Sequence, residues 1–397
     1  MRHEPTAASL SRPGGQPVGA PSAANPAANR DVTTALPEAP LPAVQAALAP
    51  KTETRAPNRL RPLLRWESAL VVALAATVLV GAATSRQFLT SANVFSNVCL
   101  LYGELAIMTL PMTLVILAGE IDLSIASTLA LSSSLVGYLW QQGWPMPGVI
   151  AFVLVTGALL GWVNGALVTR LGLPSLAVTI GTMTLYAGIA EIVLGPAIIT
   201  NFPSSYTTIG VNPLPGTGQL LSFSAAVFIV LAVLFGVLLH ATPFGRSVVA
   251  IGFNKEAALF AGIRVKRVKT LLFMLSGLTG ALAGILYTFR LSTAESDNGI
   301  DLILPVVAVV LLGGVSIFGG KGSLAGVVLA VLVYTSLQSA LLLTNFNANG
   351  LEIVTGGLLL LSVLVPNAGQ LASRARSLAG RRRLGVAAHA QLKDGTP

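Results

Sequence analysis

Gln219-Leu220-Leu221-Ser222-Phe223-Ser224-Ala225-Ala226-Val227-Phe228-Ile229-Val230-Leu231-Ala232-Val233-Leu234-Phe235-Gly236-Val237-Leu238-Leu239-His240 runs for 22 residues without an Asp, Glu, Lys or Arg. A helix rises about 1.5 Å per residue, so this run covers the roughly 30 Å hydrocarbon core of a bilayer. The next stretch, 241–269, carries Arg246, Lys255, Arg264, Lys266, Arg267 and Lys269, whereas no Lys or Arg lies between Leu171 and Gly245. Basic loops stay on the cytoplasmic side of a membrane. One helix and its flanks therefore set both class and direction: the chain enters this span from outside and leaves it in the cytoplasm.

Working outward, comparable apolar stretches fall at 68–86, 97–118, 122–141, 148–169, 173–195, 219–240, 269–289, 302–318, 322–343 and 350–366. Of the 24 Lys and Arg, 22 lie where the alternation of these stretches puts cytoplasm; only Arg86 and Arg290 lie on the other side. The runs are continuous rather than alternating, which favours helices over a barrel. The expected fold is an all-α polytopic membrane protein with about ten transmembrane helices and both termini cytoplasmic. Composition agrees. The chain is 53% apolar and 10% charged, against about 25% charged residues in soluble domains.

The chain divides into three regions: a cytoplasmic tail at 1–60, a transmembrane domain at 61–370 with its cytoplasmic loop at 241–269, and a basic cytoplasmic tail at 371–397. The first holds ten of the 23 prolines and no apolar period, the composition of a disordered segment. The long polar segment 196–218 reads as external. The net charge of +9 sits in the tails and one loop, without the interleaved aromatics of a nucleic-acid surface. One cysteine, Cys99, excludes an internal disulfide, and the three histidines show no metal-ligand spacing.

No energy source is encoded. The nearest approach to a P-loop, Gly319-Gly320-Lys321-Gly322-Ser323, has Gly where Ser or Thr must follow the lysine, and Val315 where the first glycine belongs. These glycines read as a tight turn between two close-packed helices, and Gly313 and Gly314, within the stretch before it, join Gly319, Gly320 and Gly322 as positions of close helix packing. In the cytoplasmic loop, Asn254 can cap a short helix running through Ala261, Glu256 suits its first turn, and Gly262 can end it in a left-handed conformation. Such a helix is either an ordinary charge-anchored loop or an element that docks into another protein.

Glu256-Ala257-Ala258 with Gly262 beyond resembles the coupling signature of ATP-binding-cassette importer permeases. Thr242 to Ala258 and Leu275-Ser276-Gly277-Leu278 with Ala281 to Ile285 resemble the ribose/xylose/rhamnose-type branch of that family. So does the run from Val306 to Ser323. The match covers roughly residues 90–365. The resemblance implies a permease of a bacterial plasma (inner) membrane that carries a monosaccharide by alternating access. It also implies a second permease copy or a homologue, an ABC ATPase subunit below and a soluble sugar-binding protein outside. ATP and Mg would bind the ATPase, leaving this chain without a cofactor, and Gly252, Asn254, Glu256, Ala257, Ala258 and Gly262 would couple to it. An ion-coupled secondary transporter is the alternative.

Gly119-Glu120-Ile121-Asp122-Leu123-Ser124-Ile125-Ala126-Ser127 resembles the family's G-G-I-D-L-S-x-G-S signature, departing at Glu120 and Ala126. The Glu120 variant is similar to the rhamnose-type and autoinducer-2-type subgroups, which ranks a rhamnose-like deoxyhexose ahead of a pentose. Each carboxylate would cost roughly 2.5–3.5 kcal/mol at a helix centre, so each belongs in a turn, a wet cavity or a pair. Asp122 is either a cap on the third span or part of the translocation route. A sugar route needs hydrogen-bonding groups of modest strength; with Asp122 and Ser124, Glu104, Asn164, Thr182 and Glu191 are its candidates.

Overall fold

Backbone polar groups in lipid must bond to one another, and a charge-free run of Leu, Val, Ala and Gly does so by becoming helical. The computed structural model describes residues 66–217, 220–344, 347, 350–361 and 364. Both tails, Asn345 and the last residues of the tenth apolar stretch lie outside them. The chain divides at Asn58 and Arg59 into two units. The first lies outside the described residues, and every helix named below belongs to the second.

In chain order the helices are α1 (Trp66–Thr84), α2 (Ser91–Leu100), α3 (Gly103–Leu117), α4 (Ile125–Gln141), α5 (Met146–Arg170) and α6 (Ser175–Leu194). They continue as α7 (Ser204–Val211), α8 (Phe223–Ala241), α9 (Pro243–Phe253), α10 (Lys255–Phe260), α11 (Val265–Leu291), α12 (Ile300–Leu312), α13 (Leu324–Leu343) and α14 (Gly350–Leu361). No strand occurs among the described residues; Ile199 and Ala294 form one isolated bridge. The chain is an all-helical polytopic membrane protein.

A helix stands at each of the ten expected places. Six (α1, α5, α6, α8, α11 and α13) are long and apolar enough to cross a membrane, and the pair α2–α3, bent by 43°, makes a seventh. The break follows π-helical winding over Val94–Leu100. α4 has 17 residues, and α12 and α14 are shorter. The eighth apolar stretch, expected to run to residue 318, stops as a helix at Leu312. There Gly313 and Gly314 turn the chain into a hairpin-like segment closed by Ser316 N donating to Lys321 O at 2.8 Å.

Every residue of α3 is buried, Glu104, Thr109 and Thr113 included. α1 is the opposite, with 11% of its span buried against 61% for α11, so α1 is peripheral in this chain and α11 is internal. α11 lies between α5 and α4. A Cβ on Gly161 of α5 would sit 2.1 Å from Phe273 O, and one on Gly284 of α11 would sit 2.5 Å from Leu129 O of α4. Backbones can approach this closely only where the side chain is a hydrogen. Gly157, Gly161 and Gly165 recur every fourth residue along that α5 face.

The contacts sort into two ends that match the charge alternation. At the cytoplasmic end, Gly320 N donates to Leu117 O at 2.9 Å, Trp66 Nε1 donates to Leu312 O at 2.7 Å, and Ile121 N donates to Ser175 Oγ at 3.2 Å. At the outer end, Trp140 Nε1 donates to Asn201 O at 2.9 Å and Ser296 Oγ to Glu191 Oε2 at 2.6 Å. The external segment 196–218, which reads as loop in the sequence, contains α7, whose Gly210 packs on the backbone of Phe289 and Arg290.

Candidate functional site

The cytoplasmic loop is almost wholly helical. α9 starts with the Thr242 hydroxyl accepting from Gly245 N, followed by Pro243 at the first position. It ends at Asn254, whose Oδ1 accepts from Glu256 N at 2.9 Å and Ala257 N at 3.0 Å and so opens α10. α10 ends at Phe260, one residue earlier than expected. Gly262 N donates to Leu259 O and Ile263 N to Ala258 O, both at 3.0 Å, with Gly262 at φ +80°. Those two bonds form a Schellman closure, for which the left-handed glycine is required. The signal for α9 in the sequence is the Thr242-Pro243 pair that starts it.

Both ends of α10 are thus fixed independently of any partner. Ala258 faces inward and is buried, while Glu256, Ala257, Leu259 and Phe260 are exposed, Phe260 by 93%. Phe253 and Phe318, on the segments that meet at this cytoplasmic end, are exposed as well. Large apolar side chains held out on a rigid short helix suit insertion into another protein's groove. Sequence reasoning does not single out Leu259 and Phe260; apolar residues beyond a capping asparagine are the only signal they give. Gly252 is used differently from its neighbours. A Cβ there would lie 1.8 Å from Leu117 O and 2.4 Å from Gly320 N, so it seats α9 against the end of α3 and the Gly319-Gly320 turn.

A row of hydrogen bonds runs through the inner half of the bundle. Tyr186 OH lies 3.3 Å from Asn164 Oδ1 and 3.1 Å from Leu160 O; Asn164 Nδ2 donates to Ser124 Oγ at 2.7 Å. Ser124 donates from both Oγ, at 2.6 Å, and N, at 3.1 Å, to Asp122 Oδ1. The row ties α6, α5 and the start of α4 together and ends on a buried carboxylate. Asp122 therefore holds the turn that begins α4, through an amide and a hydroxyl. Thr182 is also buried and donates within its own helix to Val178 O at 3.1 Å. Thr179, beside it, donates to Ile121 O at 3.2 Å.

The outer half has its own junction. Glu104 is fully buried on α3. Its Oε1 accepts from Ser224 Oγ of α8 at 2.7 Å and its Oε2 from Arg290 Nε of α11 at 3.0 Å. The Arg290 guanidinium lies 4.7 Å from the centre of the Tyr287 ring. This explains one exception to the charge alternation: Arg290 is held inside the protein by a carboxylate, whereas Arg86 is exposed past the end of α1. Nearby, Ser133 Oγ receives Thr288 Oγ1 at 2.8 Å and Asn298 Nδ2 at 2.9 Å, joining α4 to α11 and the segment after it. Glu191 is exposed and sits apart from both junctions, at the outer end with Ser296. Glu120 pairs with Lys269. Gly313, Gly314, Gly319, Gly320 and Gly322 gather in the turn between α12 and α13, where Gly313 packs on Val327 and Gly314 on the Trp66 ring.

A family model described as the branched-chain amino acid transport system / permease component matches residues 94–363. The autoinducer 2 import system permease protein LsrD of Yersinia enterocolitica is 34% identical over 310 residues, covering 76% of this chain and 91% of the relative. The LsrD proteins of Klebsiella pneumoniae, at 34%, and Escherichia coli K12, at 33%, cover 76% and 75% of this chain and 91% of their own lengths. No solved structure matches the chain. The matched residues take in the capped cytoplasmic helix, both buried polar junctions and the glycine seam. The chain belongs to this family of permease components, the non-enzymatic, multi-pass inner-membrane subunits of importers worked by a separate ATPase and supplied by a periplasmic binding protein.

Proposed function

We propose that this permease imports a small sugar-like solute, autoinducer 2 or a rhamnose-like deoxyhexose ahead of a pentose, and that α10 is the element its ATPase grips. The observation that carries the coupling half is the geometry of α10: an exposed helix capped by Asn254 and Gly262, buried at Ala258 and presenting Glu256, Ala257, Leu259 and Phe260. Gly252 supports it by fixing α9 to the end of α3. ATP and Mg sit on the ATPase. The solute half is supported by the solute that the relatives' names carry and by the Glu120 variant of the turn signature.

In this reading closure of the ATPase pair moves α10 and, through residues 261–264, the start of α11. Asp122, Ser124, Asn164 and Thr182 hold the inner gate and Glu104 the outer one, with Glu191 at the external mouth. What supports the gate roles of Asp122, Ser124, Asn164 and Glu104 is their burial and the helices they join, α4, α5 and α6 inside and α3, α8 and α11 outside; Thr182 is buried beside the inner row without bonding across it, and Glu191 is exposed at the outer end. Pairing with a second permease copy or a homologue completes the route.

The test is uptake by vesicles containing this chain, its ATPase and its binding protein. Labelled autoinducer 2, rhamnose and ribose are offered with ATP inside. ATP-dependent uptake of the first or second, lost with Phe260→Ser, is the expected result. Uptake driven by a proton or sodium gradient with no ATPase present would overturn the coupling half. Uptake of ribose alone would overturn the solute half.

A further inference from the structure

We propose that the Glu120–Lys269 ion pair is the electrostatic link by which movement of the cytoplasmic coupling helix reaches the Gly119–Ser124 turn, which makes Glu120 and Lys269 positioning residues for transport. The proposal rests on the assignment of α10 as the ATPase's grip.

Glu120 follows the end of α3, in the turn that leads to Asp122. Lys269 is the fifth residue of α11, the helix that starts just after α10. The two side chains are in contact and are only 13% and 8% exposed. The pair is therefore shielded from the solvent that makes surface pairs weak. Among the described residues, Arg290–Glu104 is the other such pair, at the opposite end of the bundle.

The turn carrying Glu120 is tethered on several sides. Leu117 O accepts from Gly320 N, Ile121 N donates to Ser175 Oγ, Ile121 O accepts from Thr179 Oγ1, and Ser124 Oγ accepts from Asn164 Nδ2. Those tethers lead to the α12–α13 turn, to α6 and to α5. None of them leads to the helix that α10 moves. The Glu120 carboxylate adds a charged connection to that helix, beside the packing of α11 on the start of α4, where Gly280 lies against Ile125. Lys269 is also unlike the other basic residues of the segment. Arg264, Lys266 and Arg267 are exposed, as orientation signals are, whereas Lys269 is buried.

The route is short. Val265 and Val268 are buried, so the first turns of α11 sit firmly in the bundle, and the Schellman closure at Gly262 leaves little slack between α10 and α11. A shift of α10 is delivered to Lys269 within a few residues, and an ion pair in a poorly solvated place carries the pull to Glu120. From Glu120 it passes to Asp122, two residues on, and to the hydrogen-bonded row that ends there.

The experiment uses the reconstituted complex of permease, ATPase and binding protein, and reads solute taken up per ATP hydrolysed. Glu120→Gln and Lys269→Gln are each expected to lower that ratio at least fivefold while ATP hydrolysis persists. The exchanged pair, Glu120→Lys with Lys269→Glu, is expected to recover at least half of the wild-type ratio. The doubly neutral Glu120→Gln/Lys269→Gln leaves no unpaired charge and guards against loss of folding in the single variants; it is expected to assemble normally and to transport at the low ratio. A wild-type ratio in the doubly neutral variant, or an exchanged pair no better than the single variants, overturns the proposal. A Phe260→Ser complex that keeps the wild-type uptake would instead overturn the assignment of α10, which separates the two failures.

Discussion

Replacing Arg290 by Met tests whether the outer junction is built as an obligate charge pair. Glu104 is fully buried, with one oxygen on the Ser224 hydroxyl and the other on Arg290 Nε at 3.0 Å. Removing the guanidinium leaves a carboxylate with one neutral hydrogen bond in a water-poor place. Breaking one side of a buried pair costs about 3–5 kcal/mol, whereas replacing both charges by uncharged groups of similar volume is often neutral. Arg290→Met alone should therefore lower the folding equilibrium constant by a factor of roughly 10²–10⁴, at about 1.4 kcal/mol per tenfold. Glu104→Gln with Arg290→Met keeps an acceptor for Ser224 and removes both charges, so it should lie within about 1 kcal/mol of wild type. The cycle of single and double variants gives a coupling energy directly. Unfolding in mixed micelles by a denaturing detergent, followed by tryptophan fluorescence, is the assay. A cost below about 1 kcal/mol for Arg290→Met, the range of exposed pairs, would refute the reasoning.

Three further outcomes are expected. Gly161→Val places a branched side chain where even a Cβ would sit 2.1 Å from Phe273 O; overpacking of this kind costs about 1–3 kcal/mol or more, so the purified yield and the micelle melting temperature should both fall, while Gly181→Val, with open space around it, should leave them unchanged. Asn254→Ala removes an N-cap worth about 1 kcal/mol; hydrogen exchange at the amides of Glu256 and Ala257 should accelerate several-fold, with the rest of the chain unaffected. Phe260→Ser should leave the permease as stable as wild type and reduce co-purification of the ATPase at least tenfold, measured by pull-down from detergent extracts.

The features legible in the sequence and those hidden in it differ in physical kind. Hydropathy acts residue by residue, so the places of the apolar helices can be read directly. Local capping chemistry can be read as well: Asn254 and Gly262 bracket one six-residue helix. The length of α12 cannot be read, because hydropathy continues smoothly to Phe318 while the backbone turns at Gly313-Gly314, where the Trp66 ring packs against Gly314. Partnerships across the bundle are hidden because they join residues far apart in the chain. Glu104 and Arg290 are 186 positions apart, and only their shared oddity hints at a pair, one an acid within a span and the other a base on the wrong side. The Gly157, Gly161 and Gly165 repeat is visible as spacing, but which helix it admits is a property of the packed structure.

α11 has 27 residues, and a helix of that length reaches about 40 Å. On the coupling role proposed for α10, its first turn lies just past the helix that the ATPase grips, and its last, at Phe289 and Arg290, packs under α7, in the segment proposed to face the binding protein. One stiff rod thus reports in both directions. A loaded carrier pressing on α7 would be felt by the motor below through the same piece of backbone that lets the motor open the outer mouth. Thermodynamic reciprocity requires the two influences on binding to be equal in size.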